Sequence, residues 1–331
     1  MKKCIYLIGM VLGGLLASCG SVDLLSYDQL VPAEMSFPSD IRQVGVVNNM
    51  PRRLGAPVHD LVLGVISAEG VPATEAIAEA LADSKYFDQV VICDSSLQSK
   101  DADFNQDPML SMEHVQTLTD DLGVDMLVSL ERLWVEISKT KVLYPGWDVP
   151  YPVIEAKVTP IVRLYVPGRS QPLHTMSLTD SLFWDLGTPL SEKTILKEAT
   201  KLAATQIANR MAPSWTQAER IYFSGGCVEM RDAAVYLQEG SWQEAQDTWK
   251  ELYNRLRKGK TKAKAAYNIA LSYEMLGNIE EADKWVHESK KYVTPNSQEE
   301  QIVKLYSDEL DRRLKEVVSL NVQMSRFNDN F

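Results

Sequence analysis

The fold is decided by the stretch Ile154-Glu-Ala-Lys-Val-Thr-Pro-Ile-Val-Arg-Leu-Tyr-Val166, in which apolar residues recur at every second position. Such alternation is typical of a β-strand with one buried and one exposed face. Pro160 lies on the apolar face. Because proline has no N–H to donate to a neighbouring strand, it predicts an edge strand or a bulge. The residues that share the predicted buried face are Ile154, Ala156, Val158, Val162, Leu164 and Val166.

Strands and helices alternate on both sides of this stretch. A long strand is predicted over Val124–Ile137, with a bulge near Glu131-Arg132 because the apolar face changes parity there. Helices are predicted where apolar residues recur at helical spacing next to a capping residue. The predicted order is β-α-β-α-β-β-β-α over residues 40–212, a mixed sheet with helices packed on it. The further elements are strands at Ile41–Val47, Val90–Cys93 and Leu173–Trp184 and helices at Ala73–Ala82, at Met112–Asp121 and from Ser191 to Met211.

Two segments of the C-terminal half repeat with a period of 37 residues, from Tyr236 to Tyr273. Each unit predicts two helices, in which glycine turns the chain, alanine allows close packing and tyrosine fills the groove between the pair. The pattern resembles the tetratricopeptide repeat, whose usual period is 34 residues. The extra residues fall in the basic linker Arg257–Lys262. The repeat-defining positions are Tyr236, Gly240 and Ala245 in the first unit and Tyr273, Gly277 and Ala282 in the second.

The predicted fold class is therefore α+β, with a mixed-sheet α/β domain followed by an all-α tetratricopeptide-like domain over residues 216–320. Two repeats bury little apolar surface, so neighbouring elements must cover their ends. Ser297-x-x-Glu300 is a capping box that opens a long helix suited to cover the C-terminal end. Residues 321–331 are predicted to be a C-terminal tail.

The α/β domain carries a family resemblance in Leu81-Ala-Asp-Ser-Lys-Tyr-Phe-Asp-Gln-Val90 and in Leu122-Gly-Val-Asp-Met-Leu-Val128. These stretches resemble the N-terminal domain of the Tol-Pal translocation protein and the related curli-secretion and penicillin-binding-protein-activator lipoproteins. The resemblance covers residues 41–210. It implies an α/β domain that activates or assembles a machine of the cell envelope.

The N-terminus carries an export signal. Lys2 and Lys3 precede the apolar stretch Cys4–Leu16, which is too short to cross a bilayer and is typical of a signal peptide. Leu-Ala-Ser-Cys at residues 16–19 resembles a bacterial lipobox. The resemblance implies a signal peptide over residues 1–18 and a Cys19 that carries several acyl chains, palmitate among them. The alternatives are an ordinary cleaved signal and a signal anchor, in which Cys19 is incidental.

The residues after Cys19 predict the location of the protein. By resemblance to sorted lipoproteins of Gram-negative bacteria, Gly20 in place of aspartate favours the outer membrane. No acidic run follows Cys19, which favours the periplasmic face. Residues 19–39 contain prolines and serines and are predicted to be a lipidated cysteine and a partly extended tether.

Composition excludes two classes of protein. The chain of 331 residues has 34 basic and 45 acidic residues, a net charge of −11. Because phosphate neutralisation needs a surplus of lysine and arginine, broad nucleic-acid binding is excluded. The only apolar run that could meet a membrane lies at the N-terminus, so a multi-span transporter or channel is excluded.

No catalytic residue, metal site or cofactor is predicted. Cys93 ends an apolar run and is favoured as a buried hydrophobe, although a disulfide with Cys227 is left open. Asp101–Asp107 has the alternating oxygen ligands of a calcium loop but lacks its glycine and its final glutamate, which favours a solvated acidic loop over weak ion binding. Asp180 lies on the apolar face of its strand, so it must be hydrogen-bonded, exposed at a strand break or functional.

One aromatic, proline-rich loop joins two long strands. Tyr144, Trp147 and Tyr151 are candidate partner-binding residues, because tyrosine and tryptophan are favoured at interfaces and can stack on a sugar. Packing of this loop against its own domain is the simpler alternative.

The overall layout resembles lipoproteins of unknown function common in Bacteroides-type bacteria. We predict a lipid-anchored scaffold or adaptor, not an enzyme, that binds an envelope protein through its repeats. The alternative is a glycan- or cell-wall-binding protein or an enzyme that uses the aromatic loop 144–152.

Overall fold

The structure is a computed structural model that describes residues 22–51, 63–98, 109–144, 146 and 148–330. Cys19, Trp147 and the acidic loop 101–107 lie outside the described residues. The chain divides into two compact units, residues 33–214 and a second unit made of residues up to 32 together with 215–331. In chain order the first unit is thus inserted into the second.

The α/β unit contains a seven-stranded mixed sheet with strand order β4-β2-β5-β6-β7, in which β3 pairs with β5 and β8 pairs with β6. Strands β4, β2 and β5 are parallel, and the other pairs are antiparallel. Helices α1 and α3 pack against each other and on the sheet. The strands are β2 (Gln43–Asn48), β3 (Gly64–Ser67), β4 (Gln89–Ser96), β5 (Met126–Val142), β6 (Tyr151–Tyr165), β7 (His174–Ser177) and β8 (Asp180–Asp185), and the helices are α1 (Gly70–Asp83), α2 (Met112–Leu122) and α3 (Glu192–Met211).

The helical unit contains five helices and a two-stranded sheet formed by β1 and β9 among its described residues. Its core surrounds Trp249, which is fully buried, and continues through residues of every helix. The elements are β1 (Asp23–Val31), β9 (Ser214–Tyr222), α4 (Val228–Gln238), α5 (Trp242–Arg255), α6 (Lys260–Met275), α7 (Ile279–Lys290) and α8 (Gln298–Met324), followed by a 3₁₀-helix at Ser325–Asn330.

The predicted α+β class is confirmed, and so are several local details. The register of β5 against β6 shifts between Leu130 and Arg132, which is the predicted bulge. Pro160 lies between the part of β6 that pairs with β8 and the part that pairs with β7, so its missing N–H interrupts no ladder there. Ser297 accepts a hydrogen bond from Glu300 N, as the N-cap residue of a capping box does, whereas the Glu300 carboxylate accepts one from Asn296 N, one residue before the N-cap.

In the α/β unit one predicted strand is wrong, and one strand was not predicted. The strand predicted over Leu173–Trp184 is broken into β7 and β8, and Asp180 begins the second piece. Its carboxylate accepts hydrogen bonds from Ser181 N and Gln206 Nε2, which satisfies the charge at this break. The short strand β3 was missed because four residues are too few to show a period.

The predicted tether and tail are also wrong where they are described. Residues 23–31 form β1 and pair with β9, and the side chain of Gln29 is buried there. The helical domain was predicted to begin at residue 216, but the unit also includes β1, which precedes the α/β unit in sequence. The tail predicted over 321–331 continues α8 and the 3₁₀-helix, in which Gln323 and Arg326 are buried.

Candidate functional site

The two repeats have the same turn chemistry. Gly240 and Gly277 adopt φ values of 75° and 81°, the left-handed region that favours glycine after a helix. The next residue in each repeat donates its N–H back to a tyrosine carbonyl, Ser241 to Tyr236 and Asn278 to Tyr273, at 2.8 Å in both. These turns reverse the chain between α4 and α5 and between α6 and α7.

The remaining repeat-defining residues differ in their environment. Ala245 and Ala282 are fully buried at helix contacts, as close packing requires. Tyr273 packs against the core and accepts a hydrogen bond from Lys250 Nζ at 2.9 Å. Tyr236 is 39% exposed, so it does not fill the groove predicted for it.

An aromatic pocket lies on the helical unit between α5 and α7. Its lining residues are Tyr253 on α5 and Lys284, Trp285 and Glu288 on α7, around a volume of about 250 Å³. The rings of Tyr253 and Trp285 meet edge to face with centroids 5.0 Å apart. The spacing of Lys284, Trp285 and Glu288 places all three on one side of α7, because residues three and four apart are neighbours on a helix.

Hydrogen bonds and a neighbouring cation fix the Tyr253 side chain of the aromatic pocket. Tyr253 Oη donates to Glu288 at 2.7 Å, and Tyr292 Oη donates to the same carboxylate oxygen at 3.2 Å. The buried Lys262 ammonium lies 4.0 Å from the Tyr253 ring centroid and donates to the carbonyl of Leu256. The Tyr253 ring is therefore fixed by contacts on its face and at its hydroxyl.

The charges at the pocket have stable protonation states. The hydrogen bond from Lys291 and that from Tyr253 lower the pKa of the Glu288 carboxyl. Burial, with the Glu288 carboxylate as a further cause, raises the pKa of the Tyr253 hydroxyl. The pocket thus presents an apolar ring surface bordered by an anion and by the Lys284 ammonium, which is 68% exposed. This arrangement can hold a flat or apolar side chain and orient polar groups beside it.

The predicted aromatic loop is only partly described. The Tyr144 and Tyr151 rings lie 6.2 Å apart at an interplanar angle of 55°, and Val149 beside them is 71% exposed. Trp147 lies outside the described residues. The described part of the loop therefore has two neighbouring rings.

A buried polar cluster in the α/β unit was missed by the sequence analysis. Asn49 follows β2 and donates to the Glu131 carboxylate at 2.6 Å, and Gln98, after β4, donates to Asn49 at 2.5 Å. The Arg163 guanidinium lies 3.7 Å from Glu131, and both side chains are buried. In the sequence, this cluster is indicated by Glu131 alone, because a charged residue lies at the predicted bulge of β5. The cluster lies where β2 and β4 end, beside the bulge of β5.

Three absences concern only the part of the chain that is described. Within it, no group of three or more histidine, cysteine, aspartate or glutamate residues is placed to hold a metal ion. The same residues include no helix long and apolar enough to cross a membrane. Cys93 and Cys227 are both free thiols, so they form no disulfide with each other here.

Several solved structures of bacterial proteins show distant similarity to the chain. A PelC dodecamer from Paraburkholderia phytofirmans is 11% identical, with a TM-score of 0.25, and the match covers 57% of this chain and 99% of that one. A minor lipoprotein from Acinetobacter baumannii is 8% identical, with a TM-score of 0.27 and coverages of 53% and 99%. The rare lipoprotein B from Shewanella oneidensis is 15% identical, with a TM-score of 0.25 and coverages of 51% and 90%. Scores this low do not establish a common fold.

Family models match both parts of the chain. No curated protein matches it in sequence. A model described as "Domain of unknown function (DUF6340)" matches residues 231–312, within the helical unit. A model described as "Domain of unknown function (DUF8603)" matches residues 41–223, more than half of the chain. The chain therefore belongs to the DUF8603 family.

Proposed function

We propose that this protein is a lipid-anchored adaptor of the bacterial cell envelope that binds a partner protein through its helical unit and performs no catalysis. The anchor is Cys19, acylated after removal of residues 1–18, in the outer membrane with the protein on the periplasmic side. The lipobox-like residues 16–19 support the anchor, and Gly20 supports the sorting.

The observation that carries the proposal is the aromatic pocket. Tryptophan and tyrosine in a pocket with charged neighbours are the residues that most often dominate binding energy at protein interfaces. Its four lining residues come from the second helices of the two predicted hairpins. The helical pairs act as tetratricopeptide-like repeats in this proposal, and an apolar or aromatic side chain of the partner stacks on Trp285.

In-cell crosslinking tests the adaptor. A photoreactive residue replaces Lys284 in the full chain, and crosslinked proteins are identified by mass spectrometry with and without Trp285→Ala. The matched control is Trp215→Ala, which removes a tryptophan that is 70% exposed on β9. We expect one envelope protein to crosslink in the unsubstituted chain and in the control, and to be lost with Trp285→Ala. An unchanged crosslink pattern in all three chains contradicts the proposal.

A second candidate function rests on the neighbouring rings of Tyr144 and Tyr151. Their spacing and the exposure of Val149 support a glycan- or cell-wall-binding role, in which the rings stack on a sugar together with Trp147. Binding of purified cell-wall fragments by the full chain, reduced at least tenfold by Tyr144→Ala with Trp147→Ala, is the expected result. Equal binding by the variant removes this candidate.

A further inference from the structure

The start of β1 has a defined position on the helical unit. Val22 and Leu25 pack against the core of that unit. The Thr216 hydroxyl donates to the carbonyl of Gln29, and β1 pairs with β9. Burial raises the pKa of the Tyr222 hydroxyl, and the charge of the Asp23 carboxylate adds to that rise. These contacts place the first residues of β1 opposite the last residues of β9.

Basic residues lie at the same end of the helical unit. Phe223 directly follows β9, and the Lys264 ammonium lies 5.0 Å from the centroid of its ring. Lys264 belongs to the second turn of α6, whose start is reached from α5 through the turn at Gly259. We call Arg255, Arg257, Lys258, Lys260 and Lys264 the basic segment.

Part of the basic segment is already paired. Arg255 pairs with Glu229 at the start of α4, and Lys260 and Lys264 both lie within 3.8 Å of Glu299 at the start of α8. Arg257 and Lys258 are exposed and have no ion-pair partner among the described residues. These two cations are therefore available to an anionic surface.

The short segment between Cys19 and β1 indicates that this anionic surface is the membrane. Cys19 and Asp23 are separated by only three residues. A fully extended chain reaches about 3.3–3.6 Å per residue, so the lipidated cysteine lies within roughly 14 Å of the start of β1. An anchor on so short a connection brings this end of the helical unit to the depth of the lipid headgroups.

We propose that the basic segment docks on the anionic phosphates of the membrane in which the protein is anchored, with Arg257 and Lys258 as the contact residues. The proposal rests on lipidation of Cys19. A basic side chain next to an anionic bilayer surface contributes about fivefold to binding, and the contribution weakens with salt. The helical unit is then held in one orientation on the bilayer instead of moving at the end of a tether.

Amine footprinting of the full lipidated chain tests this docking. The protein is reconstituted into phosphatidylethanolamine vesicles with about one quarter phosphatidylglycerol and, separately, into phosphatidylcholine vesicles. The labelling rate of each lysine by a water-soluble reagent is read by mass spectrometry. Lys315, exposed on α8 sixteen residues beyond Glu299, is the internal control within the same unit. We expect Lys258 to label about fivefold more slowly on the anionic vesicles than on the neutral ones, with Lys315 unchanged.

A charge-reversed variant separates the outcomes. Arg257→Glu, compared with Lys315→Glu, should restore fast labelling of Lys258 on anionic vesicles. Equal labelling of Lys258 on both vesicle types overturns the docking proposal even if the protein is anchored. Flotation of the native chain and of Cys19→Ser with the same vesicles tests the lipid anchor independently of the docking. If the native chain does not float, the proposed anchor fails, and the docking proposal fails with it.

Discussion

Arg220 is a buried cation at the centre of a polar network in the helical unit. Its guanidinium donates to both oxygens of Glu274, at 2.8 and 3.1 Å, and also to Glu309 and Gln29. The Tyr27 and Tyr306 hydroxyls donate to Glu274 as well, and the Glu274 side chain is only 2% exposed. A charge this deeply buried is stable only while its partners remain.

We therefore expect Arg220→Met to lower the free energy of unfolding by about 3–5 kcal/mol, because it leaves Glu274 buried without its cation. Urea unfolding followed by circular dichroism measures the change. Arg231→Met is the control, since Arg231 is exposed and donates a hydrogen bond to the Gly226 carbonyl, a neutral group. Adding Glu274→Leu to Arg220→Met should recover part of the loss. A loss below about 1 kcal/mol would show that the ion pair is not needed.

Buried tyrosines predict a pH dependence. Burial raises the pKa of the Tyr267 hydroxyl above its ordinary value of 10.0, and burial followed by the Glu274 charge does the same for Tyr306. The unfolded chain releases these protons first. Stability is therefore fully present below pH 10 and falls as the pH rises towards the folded-state pKa values, by about 1.4 kcal/mol per pH unit for each tyrosine.

Tyr267→Phe tests this dependence. We expect a loss of about 1 kcal/mol at pH 7, because the hydrogen bond from Tyr267 to the Ile221 carbonyl is removed. Above pH 10 the decline in stability should be shallower than in the unsubstituted chain. Urea unfolding at several pH values between 9 and 11.5 measures both effects, at roughly the range where tyrosine titrates. Parallel curves for the two chains would contradict the assignment.

At the scale of the element, the turns of the repeats are the features that local sequence predicts best. Gly240 and Gly277 each follow the C-cap residue of α4 or α6, and a left-handed residue at that position lets the next N–H cap the helix. Tyr253 and Trp285 are not predicted in this way. They come from different helices and meet only because α6 packs between the helices that carry them.

We expect Gly240→Ala to cost about 1–2 kcal/mol, because an L side chain disfavours the left-handed conformation that Gly240 adopts. Gly187→Ala is the matched control: the backbone there is not left-handed, and an added Cβ meets nothing within 4 Å. Thermal unfolding of both variants checks the difference. Equal melting temperatures would mean that the turn tolerates another conformation.

At the scale of the whole molecule, the helical unit is discontinuous in sequence. In the sequence, β1 precedes the α/β unit, and β9 and helices α4 to α8 follow it. Gln29 and Tyr27 complete the polar network around Arg220, and Arg313 donates to the Leu30 carbonyl. Residues 22–32 are thus a structural part of this unit.

Residues 215–331 expressed alone should therefore unfold with lower stability than the same segment joined to residues 22–32 through a glycine-serine linker. The expected difference is about 2–4 kcal/mol, from several lost hydrogen bonds to charged groups. Urea unfolding of the two fragments measures it, with a linker carrying a scrambled 22–32 segment as the control. Equal stability of the scrambled and natural segments would contradict a structural role for β1.

Local sequence by itself determined the α+β class, the bulge at Glu131-Arg132, the helix N-cap at Ser297 and the glycine turns of the repeats. These features depend on residues two to four positions apart, where periodicity and turn chemistry act. Only the tertiary structure decided that β1 pairs with β9, that Gln29 reaches Arg220, 191 residues away, and that Tyr253 meets Trp285. Such contacts form between residues distant in sequence because packing brings their elements together, and no local pattern encodes the partner.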